Sequence, residues 1–185
     1  MPSPGYRSLL IGAQADGTAG TSTTENSLLS PTSKFTLPAN YIDFIGKKFI
    51  ITAHGRISNI VTTPGTLVLK VKFGSIIAAA SVALQLNAVA KTNVFWRLEW
   101  LLTARAIGIT TAANFMHQGL FESESVVASP LPAAGGAGQF ALQPATPVVG
   151  TGFDSTVANV IDLTGTFSLT GNSILVHDYM LESLN

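Results

Sequence analysis

Residues 96–105 of the chain read WRLEWLLTAR. Apolar side chains occupy every second position, and the positions between them are mostly polar or charged. This period of two indicates a β-strand with one buried face, because successive side chains of a strand point to opposite sides of the sheet. The interior face is predicted to carry Trp96, Leu98, Trp100, Leu102 and Ala104, and the opposite face Arg97, Glu99, Leu101, Thr103 and Arg105.

The same alternation recurs in 67–73 and 161–169, and strand-like runs also cover 49–60, 113–127 and 173–184. Gly171 and Asn172 lie between two of these runs and predict a tight hairpin, because both residues tolerate positive φ. Eight or more strands without helices predict an all-β antiparallel β-sandwich that is jelly-roll-like. The interior positions predicted in the two alternating stretches are Leu67, Leu69, Val71, Phe73, Ile161, Leu163, Gly165, Phe167 and Leu169.

The domain organisation follows from where the chain is rich in small polar residues. Ala13 to Thr32 is a Gly/Thr/Ser-rich stretch that offers little to bury. We therefore predict an extended N-terminal arm, with a strand and a flexible polar segment in residues 1–33 and a single β-sandwich domain in residues 34–185. The Pro/Gly-rich stretches 129–138 and 143–152 are typical of loops, and neither separates two pieces that could each hold a core.

Composition narrows the possible partners. The chain has 185 residues, 10 basic against 10 acidic, so its formal net charge is zero, and charged residues make up only 11%. About 25% is usual for soluble domains, so we expect much of the surface to be polar but uncharged or covered by partners. A neutral chain without a Lys/Arg cluster predicts no nucleic-acid partner.

Membrane and secretory signals are also missing from the sequence. The N-terminus lacks the pattern of a secretory signal, and the nearly apolar run Ile76 to Leu84 is shorter than the roughly 20 residues of a membrane helix. We therefore expect no membrane partner. The chain has no cysteine, so disulfides and thiolate metal sites are excluded.

The candidate metal ligands among the histidines are His54, His117 and His177. None follows a His-x-His or His-Glu-x-x-His spacing. His117 is expected to point inward with its strand's phenylalanines, and His54 to share a face with Ile50 and Thr52. The neighbours His177 and Asp178 are predicted on opposite faces of their strand, where they could not chelate one ion together.

Glu122 and Glu124 alternate with apolar residues and are expected to share a solvated face, with salt bridges to Arg97 or Arg105. The paired tryptophans of 96–105 are expected in the core. We assign no catalytic, cofactor-binding or metal-binding residues and no cofactor, and we expect that the chain is not an enzyme.

Several stretches together resemble a family of small virion structural proteins of tailed bacteriophages, the capsid cement or decoration proteins of jelly-roll fold. The resemblance implies a structural role on the phage head surface, after assembly in the bacterial host cytoplasm. It implies a homo-oligomer, expected to be a homotrimer, seated on a shell of major capsid protein. It maps no individual binding residues. The stretches are 47–58 (KKFIITAHGRIS), 64–74 (PGTLVLKVKFG), 150–163 (GTGFDSTVANVIDL), 166–168 (TFS) and 173–185 (SILVHDYMLESLN).

Within that role, the arm before Lys34 and the loop Pro130 to Gly138 are the expected shell contacts, because long polar segments can order on binding. One alternative is a fibre or receptor- or glycan-binding module of the phage head or tail, in which Tyr41 or Tyr179 stacks on sugar rings. Another is a jelly-roll enzyme, which requires His54, His117 and a carboxylate to converge on one metal ion.

Overall fold

A computed structural model describes residues 6–127, 139–143 and 148–184 of the chain. These residues form thirteen β-strands and one short 3-10 helix, at Pro31–Ser33. The strands are β1 (Arg7–Gly12), β2 (Asn26–Ser27), β3 (Phe35–Leu37), β4 (Lys48–Asn59), β5 (Thr66–Phe73), β6 (Ile76–Ala80), β7 (Leu84–Gln85), β8 (Lys91–Ala106), β9 (Asn114–Ser123), β10 (Gln139–Ala141), β11 (Val148–Val149), β12 (Asn159–Phe167) and β13 (Ser173–Leu184).

The strands form two sheets in which every pairing is antiparallel. The first sheet has the order β1-β13-β4-β8-β9-β10, with β11 also paired to β9. The second sheet has the order β2-β12-β5-β6, with β3 on β12 and β7 on β5. The predicted all-β antiparallel β-sandwich is therefore confirmed.

The strand order is that of a jelly roll. Strands from the two ends of the chain pair in nested fashion: β1 with β13, β2 and β3 with β12, β4 with β8, and β5 with β6 and β7. Successive nested pairs alternate between the first sheet and the second, which is how two Greek keys wrap around one core. The strands β9, β10 and β11 extend the first sheet beyond this pattern.

The core lies between the sheets, where the alternation predicted it. All five predicted interior side chains of β8 are fully buried, as are those of β5 and most of those of β12. Trp96 stacks on Phe121 of β9, with ring centroids 5.6 Å apart and an interplanar angle of 17°. Leu169 was predicted to face the interior and is exposed, because β12 ends at Phe167 and the chain turns away there.

The described part of the N-terminal segment packs first against β13 of the first sheet and then, at β2, against β12 of the second sheet. Gly17 and Gly20 donate backbone hydrogen bonds to the carbonyls of Val176 and Ile174 in β13. The prediction that this segment has little to bury is wrong at its end, because Leu28 and the following Leu29 are in the core. The division of the chain at residue 33 stays a prediction.

Gly171 and Asn172 do not form the predicted hairpin. The two strands they connect, β12 and β13, belong to different sheets, so the turn is a crossover from one sheet to the other. Gly171 does have positive φ, at 89°. Gly171 and Asn172 therefore do form a turn, as predicted. The residues of a turn do not by themselves determine whether the strands on either side of it pair with each other.

The Pro/Gly stretch 129–138, including the predicted shell contact Pro130 to Gly138, lies outside the described residues, as do 144–147 of the second stretch. No helix in the part of the chain that the structure covers is long and apolar enough to span a membrane.

Candidate functional site

The structure does not bring His54 and His117 together. His117 points into the core, where it is 2% exposed and accepts a hydrogen bond at Nδ1 from the indole of Trp100, at 3.4 Å. Burial lowers the pKa of His117, so the ring is held neutral. His54 lies on the outer face of the first sheet, beside Asp178. A shared metal site of these two histidines is therefore ruled out by geometry.

The prediction that His177 and Asp178 lie on opposite faces of their strand is wrong. The pairing of β13 with β4 shifts register between Val176 and Asp178, and this bulge leaves both residues exposed. His177 pairs with Asp16 at 2.9 Å, whereas Asp178 faces His54 at 3.7 Å. Among the described residues, no three His, Asp or Glu side chains are placed to hold a metal ion.

The two glutamates at the end of β9 have different surroundings. Glu122 lies opposite Arg97 in the register of β8 and β9, next to the predicted partner. Glu124 is beyond the end of β9 and forms its salt bridge with Lys91, at 2.9 Å, rather than with an arginine. Arg105 donates instead to the sulfur of Met116.

One end of the sandwich is built from three loops that are far apart in sequence. These are residues 38–47 between β3 and β4, 107–113 between β8 and β9, and 150–158 between β11 and β12. We call this region the loop end. Ser155 joins the loops through its backbone, which accepts from Asn40 N and donates to Gly108 O, both at 3.0 Å. Loops bonded in this way present a fixed surface.

The charged side chains of these three loops are bonded within the chain, although Asp43 itself is exposed. Lys47 is buried, donates to the carbonyl of Tyr41 at 2.7 Å and to Asp43 at 3.0 Å, and lies 4.1 Å from the centroid of the Tyr41 ring. Asp154 accepts hydrogen bonds from the Thr156 hydroxyl and from the backbone amides of Thr110 and Thr156, and these bonds lower its pKa. These charges therefore brace the loops.

Apolar side chains project from the same loops into solvent. Ile45 and Ile109 are 63% and 65% exposed and sit beside Gly46 and Gly108, whose positive φ values shape the loop tips. This surface was not predicted from the sequence. The signal available was an isoleucine next to a turn glycine, and the clustering itself depends on the sheet topology. The other large apolar side chains exposed at this end are Tyr6, Phe44 and Val157.

A second surface feature is a groove on the outer face of the first sheet, with a volume of about 350 Å³. Its walls come from β8, β9, the last residue of β10 and Gln143 just beyond it. A smaller depression of about 50 Å³ adjoins it and shares Glu99 and Leu120. We call the two together the β8–β9 groove. It is lined by Arg97, Glu99, Leu101, Gln118, Gly119, Leu120, Glu122, Ala141 and Gln143.

Neither tyrosine predicted to stack on sugar rings is placed to do so. Tyr179 is 1% exposed, and burial raises the pKa of its hydroxyl above the ordinary range. Tyr41 is half-buried, with Lys47 over its ring. Among the side chains of the first sheet whose exposure is described, Phe95 is an exposed aromatic, at 51%, beside His54.

Comparison with known proteins gives only weak similarities. No protein-family model matches the chain, and no curated protein matches it. Among solved structures, it is similar to the CBM2 module of the evolved Dit of Lactobacillus casei BL23 phage J-1, with 10% identity, 99% of this chain and 98% of that chain covered, and a TM-score of 0.40.

Two further similarities are of the same order. The first is to lectin I from Ulex europaeus in complex with the methyl glycoside of α-L-fucose, with 8% identity, 98% of each chain covered and a TM-score of 0.38. The second is to a protein of unknown function from Shewanella oneidensis MR-1, with 9% identity, 96% and 78% covered, and a TM-score of 0.36. Similarities this weak assign no activity or ligand to the chain.

Proposed function

We propose that this chain is a structural protein of a tailed-phage virion, a decoration protein that binds the head shell as a homotrimer and has no catalytic role. In this role it works by burying surface against the major capsid protein. The loop end is the shell contact, in place of the arm and the Pro/Gly loop considered from sequence alone.

The observation that carries the proposal is the apolar character of a braced loop end. Ile45 and Ile109 project into solvent from loops whose charged side chains bond within the chain. Fully burying one such side chain contributes about 1.5–3 kcal/mol, and rigid loops lose little conformational freedom on binding. The arrangement therefore favours association with a protein surface.

The rest of the surface is also poor in available charge. Its 8637 Å² is shared by 20 charged side chains, about one per 430 Å². Salt bridges among the described residues use seven of the ten Lys and Arg side chains, which reduces the charge available to keep copies apart. The seven are Arg7, Lys34, Lys47, Lys70, Lys72, Lys91 and Arg97.

A cyclic trimer would make use of a single apolar end. Cyclic symmetry turns the same end of every protomer to the same side, so three loop ends would face the shell together. Each contact can then be modest, because three linked contacts bind far more tightly than one. This reasoning supports a ring whose axis runs along the sandwich over a pairing whose axis lies across it, in which the loop ends would point in opposite directions. The number three is proposed from the resemblance to decoration proteins.

The test compares charge substitutions at the two ends of the sandwich. Ile109→Asp should reduce co-sedimentation with head shells assembled without this protein at least tenfold, because a carboxylate would have to be desolvated at the contact. Val89→Asp is the matched control, since Val89 is 63% exposed but lies in the loop before β8, at the opposite end. It should bind like the unsubstituted chain.

Native mass spectrometry of the purified protein gives the second result. A trimer of the full chain is expected. A monomer that also fails to co-sediment with the shells would overturn the proposal, and so would equal binding by the Ile109→Asp and Val89→Asp variants.

A further inference from the structure

The outer face of β8 carries a row of side chains, three of which line the β8–β9 groove while Phe95 continues the row beyond it. Phe95, Arg97, Glu99 and Leu101 occupy alternate positions and point to the same side. With about 3.3 Å per residue, the row extends about 20 Å. Leu120 of β9 lies opposite Glu99 and extends the row sideways. The face is therefore long enough for an extended ligand.

The wall of the groove is held in place before any ligand arrives. Leu142 donates its backbone N–H to Gly119 O and accepts from Val82 N, both at 2.9 Å, and its side chain is buried. The adjacent Gln143 donates its side-chain amide to the carbonyl of Ala80 at 2.6 Å. These bonds fix residues 141–143 alongside the edge of β9, and preformed walls of this kind are typical of ligand sites.

Gly119 allows this close approach at the bottom of the groove. A Cβ atom at this position would lie 2.3 Å from the carbonyl oxygen of Glu99 and 2.9 Å from a methyl carbon of Leu142. A larger residue would push either β8 or the wall away. The groove therefore depends on glycine at this position, although the φ of Gly119 is not in the left-handed region.

The chemistry of the lining favours a neutral ligand rich in hydroxyl groups. Arg97 donates to Glu99 at 3.0 Å and lies opposite Glu122 in the strand register, so the lining has two carboxylates and one guanidinium, which disfavours an anionic ligand. Carboxylate, guanidinium and the amide of Gln118 accept from and donate to hydroxyls. Leu101 and Leu120 supply apolar surface between these polar groups, which is suited to the C–H faces of a sugar ring.

Phe95 supplies a larger apolar face at one end of the row. Its ring lies 6.0 Å from the His54 ring at an angle of 30°, and half of the residue remains exposed. A flat, partly exposed aromatic side chain next to hydrogen-bonding groups can stack on one sugar residue while its neighbours bind the polar groups.

We propose that the β8–β9 groove binds an oligosaccharide, with Phe95 stacking on a ring and Arg97, Glu99 and Gln118 binding its hydroxyl groups. This site goes beyond the proposed assembly role and does not depend on it, since it lies on the outer sheet face and not in the loop end. The ligand class is a neutral glycan chain, such as those exposed on cell surfaces.

The experiment uses the full chain and defined probes. An array of bacterial surface glycans, with cellohexaose, chitohexaose and maltohexaose in solution, identifies the best-binding sugar, and calorimetry gives its affinity. Phe95→Ala and Glu99→Gln should each weaken that affinity about tenfold or more, through lost stacking and a lost charged hydrogen bond. Phe44→Ala, which removes an exposed phenylalanine from the loop end, is the matched control and should bind unchanged.

Two results would overturn the assignment. One is the absence of binding to every probe by the folded chain. The other is binding that Phe95→Ala and Glu99→Gln leave unchanged while their melting temperatures match that of the parent. The loop-end substitution Ile109→Asp should leave sugar binding intact, so failure of this site and failure of the proposed shell contact are distinguishable.

Discussion

Asn172 is predicted to be the polar side chain on which the crossover between the two sheets depends. It is 1% exposed, and its amide makes three hydrogen bonds to the backbone. Its oxygen accepts from Ile60 N at 3.0 Å, and its nitrogen donates to Pro64 O at 2.7 Å and to Leu169 O at 3.1 Å. The side chain thus joins the turn after β12 to the loop after β4.

The substitution Asn172→Ala removes all three bonds at once. Each contributes about 0.5–1.5 kcal/mol net, so the free energy of unfolding should fall by about 3 kcal/mol. For a chain of this length, that loss corresponds to a decrease in melting temperature of roughly 6–12 °C. The loss is large because Ile60 N and Pro64 O would be left without a partner in a buried turn.

Asn172→Asp separates hydrogen bonding from the filling of space. The carboxylate keeps the shape and can still accept from Ile60 N, but it points an anionic oxygen at the carbonyls of Pro64 and Leu169. Asn172→Asp should therefore be less stable than Asn172→Ala at pH 7. Its deficit should shrink as the pH falls toward the ordinary Asp pKa of about 3.9, because the folded state favours the protonated form.

Urea unfolding followed by tryptophan fluorescence is a suitable assay, since Trp96 and Trp100 are both fully buried. Gln118→Ala, which removes an exposed amide, is the control and should change the free energy of unfolding by no more than about 0.5 kcal/mol. A loss below about 1 kcal/mol for Asn172→Ala would refute the reasoning. So would an Asn172→Asp variant that equals Asn172→Ala at pH 7.

Two further predictions concern the core. Burial lowers the pKa of His117, so the unfolded chain takes up this proton more readily, and the free energy of unfolding should fall as the pH drops below about 6.5. Urea midpoints at pH 8 and pH 5 should show this decrease in the parent and a smaller one in His117→Gln. Phe121→Ala removes the ring that stacks on Trp96 and should cost about 3–5 kcal/mol, with a shift in tryptophan emission; a loss under 1 kcal/mol would contradict the packing described.

The sandwich was predictable because its strands alternate. A side chain in β8 faces the interior or the solvent according to its position in the strand. The apolar residues of the sequence identify the positions that face the interior. The bulge at Val176 was not predictable in the same way. It is set by the register of β13 against β4, which are more than a hundred residues apart in sequence, and it moves His177 and Asp178 to the same surface.

The two surfaces proposed to bind partners could not be predicted from the sequence for the same reason. The loop end joins segments near residues 45, 109 and 155, and the wall of the groove comes from residues 141–143, which run along the edge of β9. Each segment alone is typical of an ordinary turn. Only the strand order brings them together, so a single sequence indicates the fold class but not which of its loops share a surface.

The separation of the two surfaces distinguishes between ways of forming a trimer. Leu101 in the groove lies five residues before the end of β8, about 16 Å from the start of the loop end. A trimer that packs through the outer face of the first sheet would cover the groove and prevent sugar binding. A trimer that packs through other surfaces, with its loop ends on the shell, would leave three grooves open around its sides. If both proposals hold, shell-bound protein should bind sugar as the free chain does, and each assembled trimer should bind three equivalents.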